Sequence, residues 1–278
     1  MPDWIEADRL HVPPTRAAAT AAPPRRPHPG WLAVSLCCLL AGAAMSTRAL
    51  HGIDLWLMRG LNHLTGRVPL ADHMIHDLTK DTLSTVLMLS LLCTAWSARP
   101  LRASRALLVA TTFASCACIV LCFVLQAVLP DHLRPLHDPR LAFHPPPSID
   151  PAVFSPGMAF PAEHAALLFA LALGITLVWP RLGAAALVLA ALTSLARVYL
   201  GFVYPSDTIA GAGIGLLLVW SSCTAAPRRL AGRIAGWAEL QPGPFAGAAF
   251  FICFGIGRLF EDERYIAHGL ARALLHHH

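Results

Sequence analysis

Charge is scarce in this chain: Asp, Glu, Lys and Arg make up 13% of its 278 residues, against 56% hydrophobic ones. That balance excludes an ordinary soluble globular protein, in which about a quarter of residues are charged. The net charge of +5 sits on arginines scattered through short loops rather than on one basic face, which argues against nucleic acid as a partner. No Cys-x-x-Cys pair occurs among the eight cysteines. All of them lie in or beside hydrophobic segments, where a free thiol behaves as a small apolar side chain. A disulfide or zinc framework is therefore not expected, and no metal or cofactor is called for. Internal repeats are lacking as well.

What the chain has in their place is a series of apolar runs long enough to cross a bilayer. They lie at about Trp31–Leu50, Leu83–Ala98, Ala106–Leu129, Ala165–Trp179, Leu182–Leu200 and Thr208–Ser222, with a seventh at Pro244–Phe260. The fold class is all-α: a polytopic membrane helix bundle with six core transmembrane helices and a further one at the C-terminal end. Residues 1–30, rich in Pro, Ala and Arg, read as a disordered basic tail. The first run reads as an uncleaved anchor rather than a signal peptide. Residues 51–82 alternate apolar and polar and suit an interfacial or re-entrant amphipathic helix pair, with His51, His63, His73 and His76 at the interface. The run His276-His277-His278 resembles a tag or tail and carries no functional weight.

The arginines set an orientation. Arg16, Arg25 and Arg26 in the tail, Arg99, Arg102 and Arg105 after the second run, Arg181 after the fourth, and Arg228, Arg229 and Arg233 after the sixth fall on one side if the spans alternate. That side is expected to be cytoplasmic, with the N-terminus on it.

Three segments share the opposite face: Leu133-Arg134-Pro135, Phe160-Pro161-Ala162-Glu163-His164, and Ala196-Arg197 through Tyr204-Pro205-Ser206-Asp207. Arginine suits the binding of phosphoryl oxygens, because its planar fork grips two oxygens and is always charged. Arg134 and Arg197 are the candidates, and Arg197 stands near the end of a span, where an unused charge is costly. Pro161 and Glu163 look like a helix start with His164 in its first turn. Pro205 ends one span, and Ser206 and Asp207 open the next as cap and first-turn acid. Two helix starts facing one pocket would form an anion cradle.

In order, spacing and membrane setting these segments resemble the signature motifs of the type 2 phosphatidic acid phosphatase (PAP2) family. The resemblance covers about residues 54–222 and divides the chain into the tail at 1–30, a PAP2-like domain at 31–225, and a link with an additional helix at 226–278. The family pattern is Lys, six residues, Arg-Pro; then Pro-Ser-Gly-His; then Ser-Arg, five residues, His, three residues, Asp. Carried over, Arg134 and Arg197 would bind phosphate, His164 would be the general acid, and Asp207 would orient the nucleophile. The departures are Ala127 for Lys, Ala162 for Ser, Glu163 for Gly, Ala196 for Ser and, above all, Val203 where the nucleophilic histidine belongs. His137 and His132 in the outer loop are the candidate substitutes. Glu163 is a candidate modulator of the phosphate site.

The resemblance implies a lipid phosphatase or phosphotransferase of the bacterial inner membrane with a periplasmic active face. Its substrate would be a phosphate or diphosphate lipid, such as an undecaprenyl carrier or phosphatidate. The alternative it leaves open is an inactive relative that binds or translocates such a lipid or assists envelope assembly.

Overall fold

A computed structural model describes residues 23–25, 27–47, 50–130, 133–147, 149–151 and 159–259. Most of the expected tail, His132 and the terminal histidine run lie outside the described residues. Among those described, every regular element is helical: α1 (Pro29–Met45), α2 (His51–Asn62), α3 (Pro69–Thr79), α4 (Asp81–Ala98), α5 (Arg102–Val128), α6 (Glu163–Val178), α7 (Pro180–Tyr199), α8 (Pro205–Ser222), α9 (Ala225–Leu240) and α10 (Pro242–Gly257), with a 3₁₀ turn at Pro135–His137. Proline opens α1, α3, α7, α8 and α10. At a helix start the N–H that proline lacks has no partner to lose, and its φ is already helical.

The bundle is built around α6, whose side chains are buried on almost every face from His164 to Val178. It packs against α4, α5, α7 and α8. Contact with α8 is unusually close, because α8 carries Gly211 and Gly215 one turn apart. A Cβ at Gly211 would collide with the carbonyl oxygen of Ala162, and one at Gly215 with that of Ala166. On its other side α8 meets α1 through Gly213 and Ala210, where a Cβ on Gly42 of α1 would lie 2.7 Å from the Ala210 nitrogen. Small residues let helix backbones approach in lipid, where association rests on van der Waals contact rather than on hydrophobic exclusion from water.

Helices α5 and α7 are each long and apolar enough to cross a membrane, at 27 and 20 residues. The pairs α3 with α4 and α8 with α9 qualify when each bent pair is taken together, while α1, α6 and α10 are apolar but shorter. A hydrocarbon core of about 30 Å takes about 20 helical residues; α6 and α10 have 16 each. The outward faces carry Val120, Val124 and Val128 on α5, Val188, Leu192 and Leu195 on α7, and Phe250, Phe251 and Phe254 on α10. Such faces suit lipid, and the chain is a multi-pass membrane protein.

The arginine-bearing segments meet at one end of this bundle. The Arg25 N–H donates to the Leu177 carbonyl at 2.8 Å, Arg99 lies over the Trp179 ring, and Arg102 donates to the Gly232 carbonyl at 3.1 Å. At the other end lie the starts of α6 and α8, with α2 and the outer loop against them.

Candidate functional site

Backbone hydrogen bonds draw the three motif segments together. The Ala162 N–H donates to the Asp207 carbonyl at 3.0 Å, and the Leu136 N–H donates to the Gly201 carbonyl at 3.0 Å. Arg134 Nη1 donates to the Phe202 carbonyl at 3.1 Å, and the Arg197 guanidinium stands 5.7 Å from the Phe202 ring centroid. The two arginines thus flank one residue. Gly201 makes the turn between them and α8, with φ at +77°, a region open to glycine and strained for most other residues.

Arg197 is buried near the C-terminal end of α7, where a cation also complements the helix dipole. It reaches the Thr79 carbonyl at 3.4 Å and interacts electrostatically with Glu163. Glu163 opens α6, with Ala162 as the cap and Pro161 outside the helix rather than in its first turn. One carboxylate oxygen of Glu163 lies 3.2 Å from His164 Nδ1; the other accepts from Gln126 Nε2 at 2.8 Å. Gln126 also donates to the Pro161 carbonyl at 3.0 Å. It precedes Ala127, the position where the family pattern has its lysine. Glu163 therefore sits as a held carboxylate between an amide and an imidazole. The sequence singled out Glu163 and not Gln126, since nothing local marks a glutamine near a helix end.

Asp207 is fully buried and accepts from the Tyr204 N–H at 2.7 Å. The cap of α8 is Tyr204, with Pro205 at the first position and Asp207 at the third. Ser206, expected as the cap, instead lies within the helix, and its N–H donates to Asp54 Oδ1 of α2 at 3.1 Å. Val203 is buried in an apolar cluster with Met58, Leu141, Ala162, Ala165 and Val198. The place of the missing histidine is filled by hydrocarbon.

His137 is engaged within the outer loop instead, its Nε2 3.2 Å from the Pro151 carbonyl. His132 lies outside the described residues. The imidazole that does reach the Tyr204 turn is His51, expected at the interface but buried by the outer loop, at 7% exposure. Its ring meets that of Tyr204 edge to face at 5.0 Å. Nδ1 faces Asp54 Oδ2 at 3.7 Å, and Nε2 lies 3.1 Å from Arg140 Nη2. Arg140 in turn holds Asp138 through Nε and Nη2 at 2.9 and 2.7 Å, and the Tyr204 hydroxyl donates to Asp138 at 2.6 Å. Burial alone would raise the Asp138 carboxyl, but the Arg140 and Tyr204 hydrogen bonds outweigh it and hold that carboxyl well below the usual range. Burial, aided by the Asp138 carboxylate, pushes the Tyr204 hydroxyl up. Burial and the Arg140 charge lower His51, against the opposing pull of Asp54 and Asp138.

The family model of the PAP2 superfamily matches residues 103–231, a stretch that holds all three motif segments and helices α5 to α8. The chain has the helical fold of a membrane PAP2 bundle. A solved structure similar to it is that of a transmembrane PAP2-type phosphatidylglycerolphosphate phosphatase from Bacillus subtilis, at 20% identity and a TM-score of 0.50, covering 69% of this chain and 92% of that one. No curated protein matched the chain.

Proposed function

We propose that this protein is a phosphatase or phosphotransferase for phosphate- or diphosphate-bearing lipids, working at the outer face of a bacterial inner membrane. The observation that carries the reading is the stitching of Arg134, Arg197, Glu163–His164 and Asp207 around one end of the bundle, opposite the end where the arginine-bearing loops meet. In that orientation the arginine-rich end is cytoplasmic. The lipid tail lies against apolar helix faces, and the phosphate meets Arg134 and Arg197, whose charges offset those that build up on the phosphoryl oxygens.

His164 is the acid. With Nδ1 directed at Glu163, the imidazole presents Nε2 to the substrate and gives its proton to the departing lipid oxygen. Gln126 keeps Glu163 in place for that task and occupies part of the carboxylate that would otherwise repel the phosphate. The test is phosphate release from phosphatidate or a polyprenyl diphosphate by purified protein in detergent. His164→Ala should abolish release; unchanged release would end this reading.

A second reading is favoured by one observation, the apolar packing around Val203. On that reading the domain binds or translocates a lipid phosphate, or serves as an envelope-assembly partner, without hydrolysing it. A wild-type protein that binds phosphatidate vesicles yet releases no phosphate would establish it.

A further inference from the structure

We propose that His51 is the nucleophile that the third motif lacks, oriented by Asp54 and presented beside Arg140 to a pocket between α2 and the outer end of α5. This inference rests on the phosphatase reading above and names the attacking group of that site.

Three observations converge on it. The first is place. Residues 203 and 207 are where a nucleophilic histidine and its orienting aspartate belong in the family pattern. His51 packs against Tyr204, next to Val203, and Asp54 binds the N–H of Ser206, next to Asp207. The second dyad therefore leans on the same turn from the neighbouring helix. Its two members lie one helical turn apart on α2, so both face that turn.

The second is tautomer. Arg140 Nη2 is a donor only, so at 3.1 Å it requires the His51 Nε2 lone pair as acceptor. The proton of the neutral ring is then on Nδ1, the nitrogen that faces Asp54. A carboxylate 3.7 Å behind Nδ1–H, close enough to become a hydrogen bond with a small shift of the ring, and a lone pair on Nε2 give the arrangement an attacking imidazole needs. The ring is also faced by Asp138, at 4.0 Å from Nε2. That charge is matched by Arg140 and by the Tyr204 hydroxyl, so it does not stand alone against an incoming phosphate.

The third is access. His51 and Arg140 line a pocket of about 920 Å³ whose walls include Leu55, Leu129, Leu133 and Phe160. Phe160 immediately precedes the second motif, and Leu133 precedes Arg134. Apolar walls with a cationic corner suit a phosphate ester of a lipid. The Arg140 side chain is 60% exposed, so its guanidinium can pass donors from Nε2 to the phosphoryl oxygens.

In the reaction, the Nε2 lone pair forms an N–P bond while the bond from phosphorus to the lipid oxygen breaks. The electron pair of that bond leaves with the oxygen, which takes a proton from His164. Water then attacks phosphorus, the N–P pair returns to Nε2, and the proton lost by the water restores His164.

The experiment uses the full-length protein in micelles with phosphatidate labelled on its phosphate. Turnover is quenched in alkali, which preserves phosphohistidine, and the label is mapped. The expected result is label on His51, a fall in release on the order of 10³-fold or more in His51→Ala, and partial recovery when imidazole is added. His51→Gln serves if the alanine variant does not fold, and a thermal melt reports on folding. Asp54→Asn should slow attack while leaving the melt near wild type. Label on another residue, or wild-type release in both His51 variants, would overturn the proposal. If His164→Ala is silent while His51→Ala turns over normally, the proposal falls and the phosphatase reading stands. A wild-type protein with no release at all removes both.

Discussion

The N–H of Ala162 donates to the carbonyl oxygen of Asp207 at 3.0 Å, so the second and third motif segments share a backbone hydrogen bond where α6 and α8 begin. This contact is allowed by Gly211, one turn beyond Asp207 in α8, whose place beside the Ala162 carbonyl leaves no space for a side chain. Gly211→Val should therefore push the two helix starts apart. The expected cost is about 1–3 kcal/mol of overpacking, read as a lower Tm in detergent, with a disproportionate loss of phosphate release. Gly247 on α10, which has nothing near its absent side chain, is the control: Gly247→Ala should leave both near wild type.

Glu163 is held from two sides, by Gln126 and by His164. Gln126→Ala should loosen the carboxylate without touching the imidazole, and Glu163→Gln should remove its charge while keeping its shape. In the first variant kcat should fall by about 10-fold with KM little changed, and in the second by about 10²-fold, as expected when a group that orients an acid is disturbed. Steady-state kinetics on phosphatidate separate the two parameters. Equal loss of binding and turnover would assign these residues to phosphate binding instead.

The helical class was legible because apolar runs are local: each helix from α4 to α8 lies within or beside a run visible in the residues alone. Arg197 and Asp207 were legible because a charge near the end of an apolar run is costly unless it is used. His51 was not. Its burial comes from the outer loop, since Arg140, which covers its ring, is 89 positions away. Gln126 stayed hidden for a similar reason, being paired to a carboxylate 37 residues on. The cap of α8 was misplaced by two residues because tyrosine is not a residue that local rules favour there, and the fit depends on the Tyr204 ring reaching Asp138 and His51.

Asp138 ties the outer loop to the bundle through Arg140 and Tyr204, and its carboxyl titrates below its ordinary value. A carboxyl lowered in the folded state contributes stability that is fully present above its unfolded pKa of about 3.9 and is lost as pH falls through the folded value. Asp138→Asn should consequently lower Tm at pH 7. The gap from wild type should shrink as pH is taken below about 4, where the carboxyl of the unfolded chain takes up its proton while the folded one stays ionised, and should close only as pH falls through the lowered folded value. Melting curves across that range check it; a gap that stays constant with pH would show that the charge on Asp138 contributes nothing.

Val203→His restores the residue of the family pattern, but into hydrocarbon. The side chain would enter a cluster formed by Met58, Leu141, Ala162, Ala165 and Val198, at a cost of about 1–3 kcal/mol in overpacking. An imidazole buried there needs a polar partner, and Asp207, four residues on, is the nearest carboxylate in the motif. If the wild type already hydrolyses a lipid phosphate through another imidazole, Val203→His should lower Tm and change release by less than about 10-fold. In a domain that only binds lipid phosphate, the same substitution should create release where there was none, because Arg134, Arg197 and His164 are already present. Pairing Val203→His with Met58→Ala, which opens space on α2, separates the cost of packing from the chemistry. A double variant that gains activity over a silent wild type would identify residue 203 as the position that decides whether this domain hydrolyses or only holds its lipid.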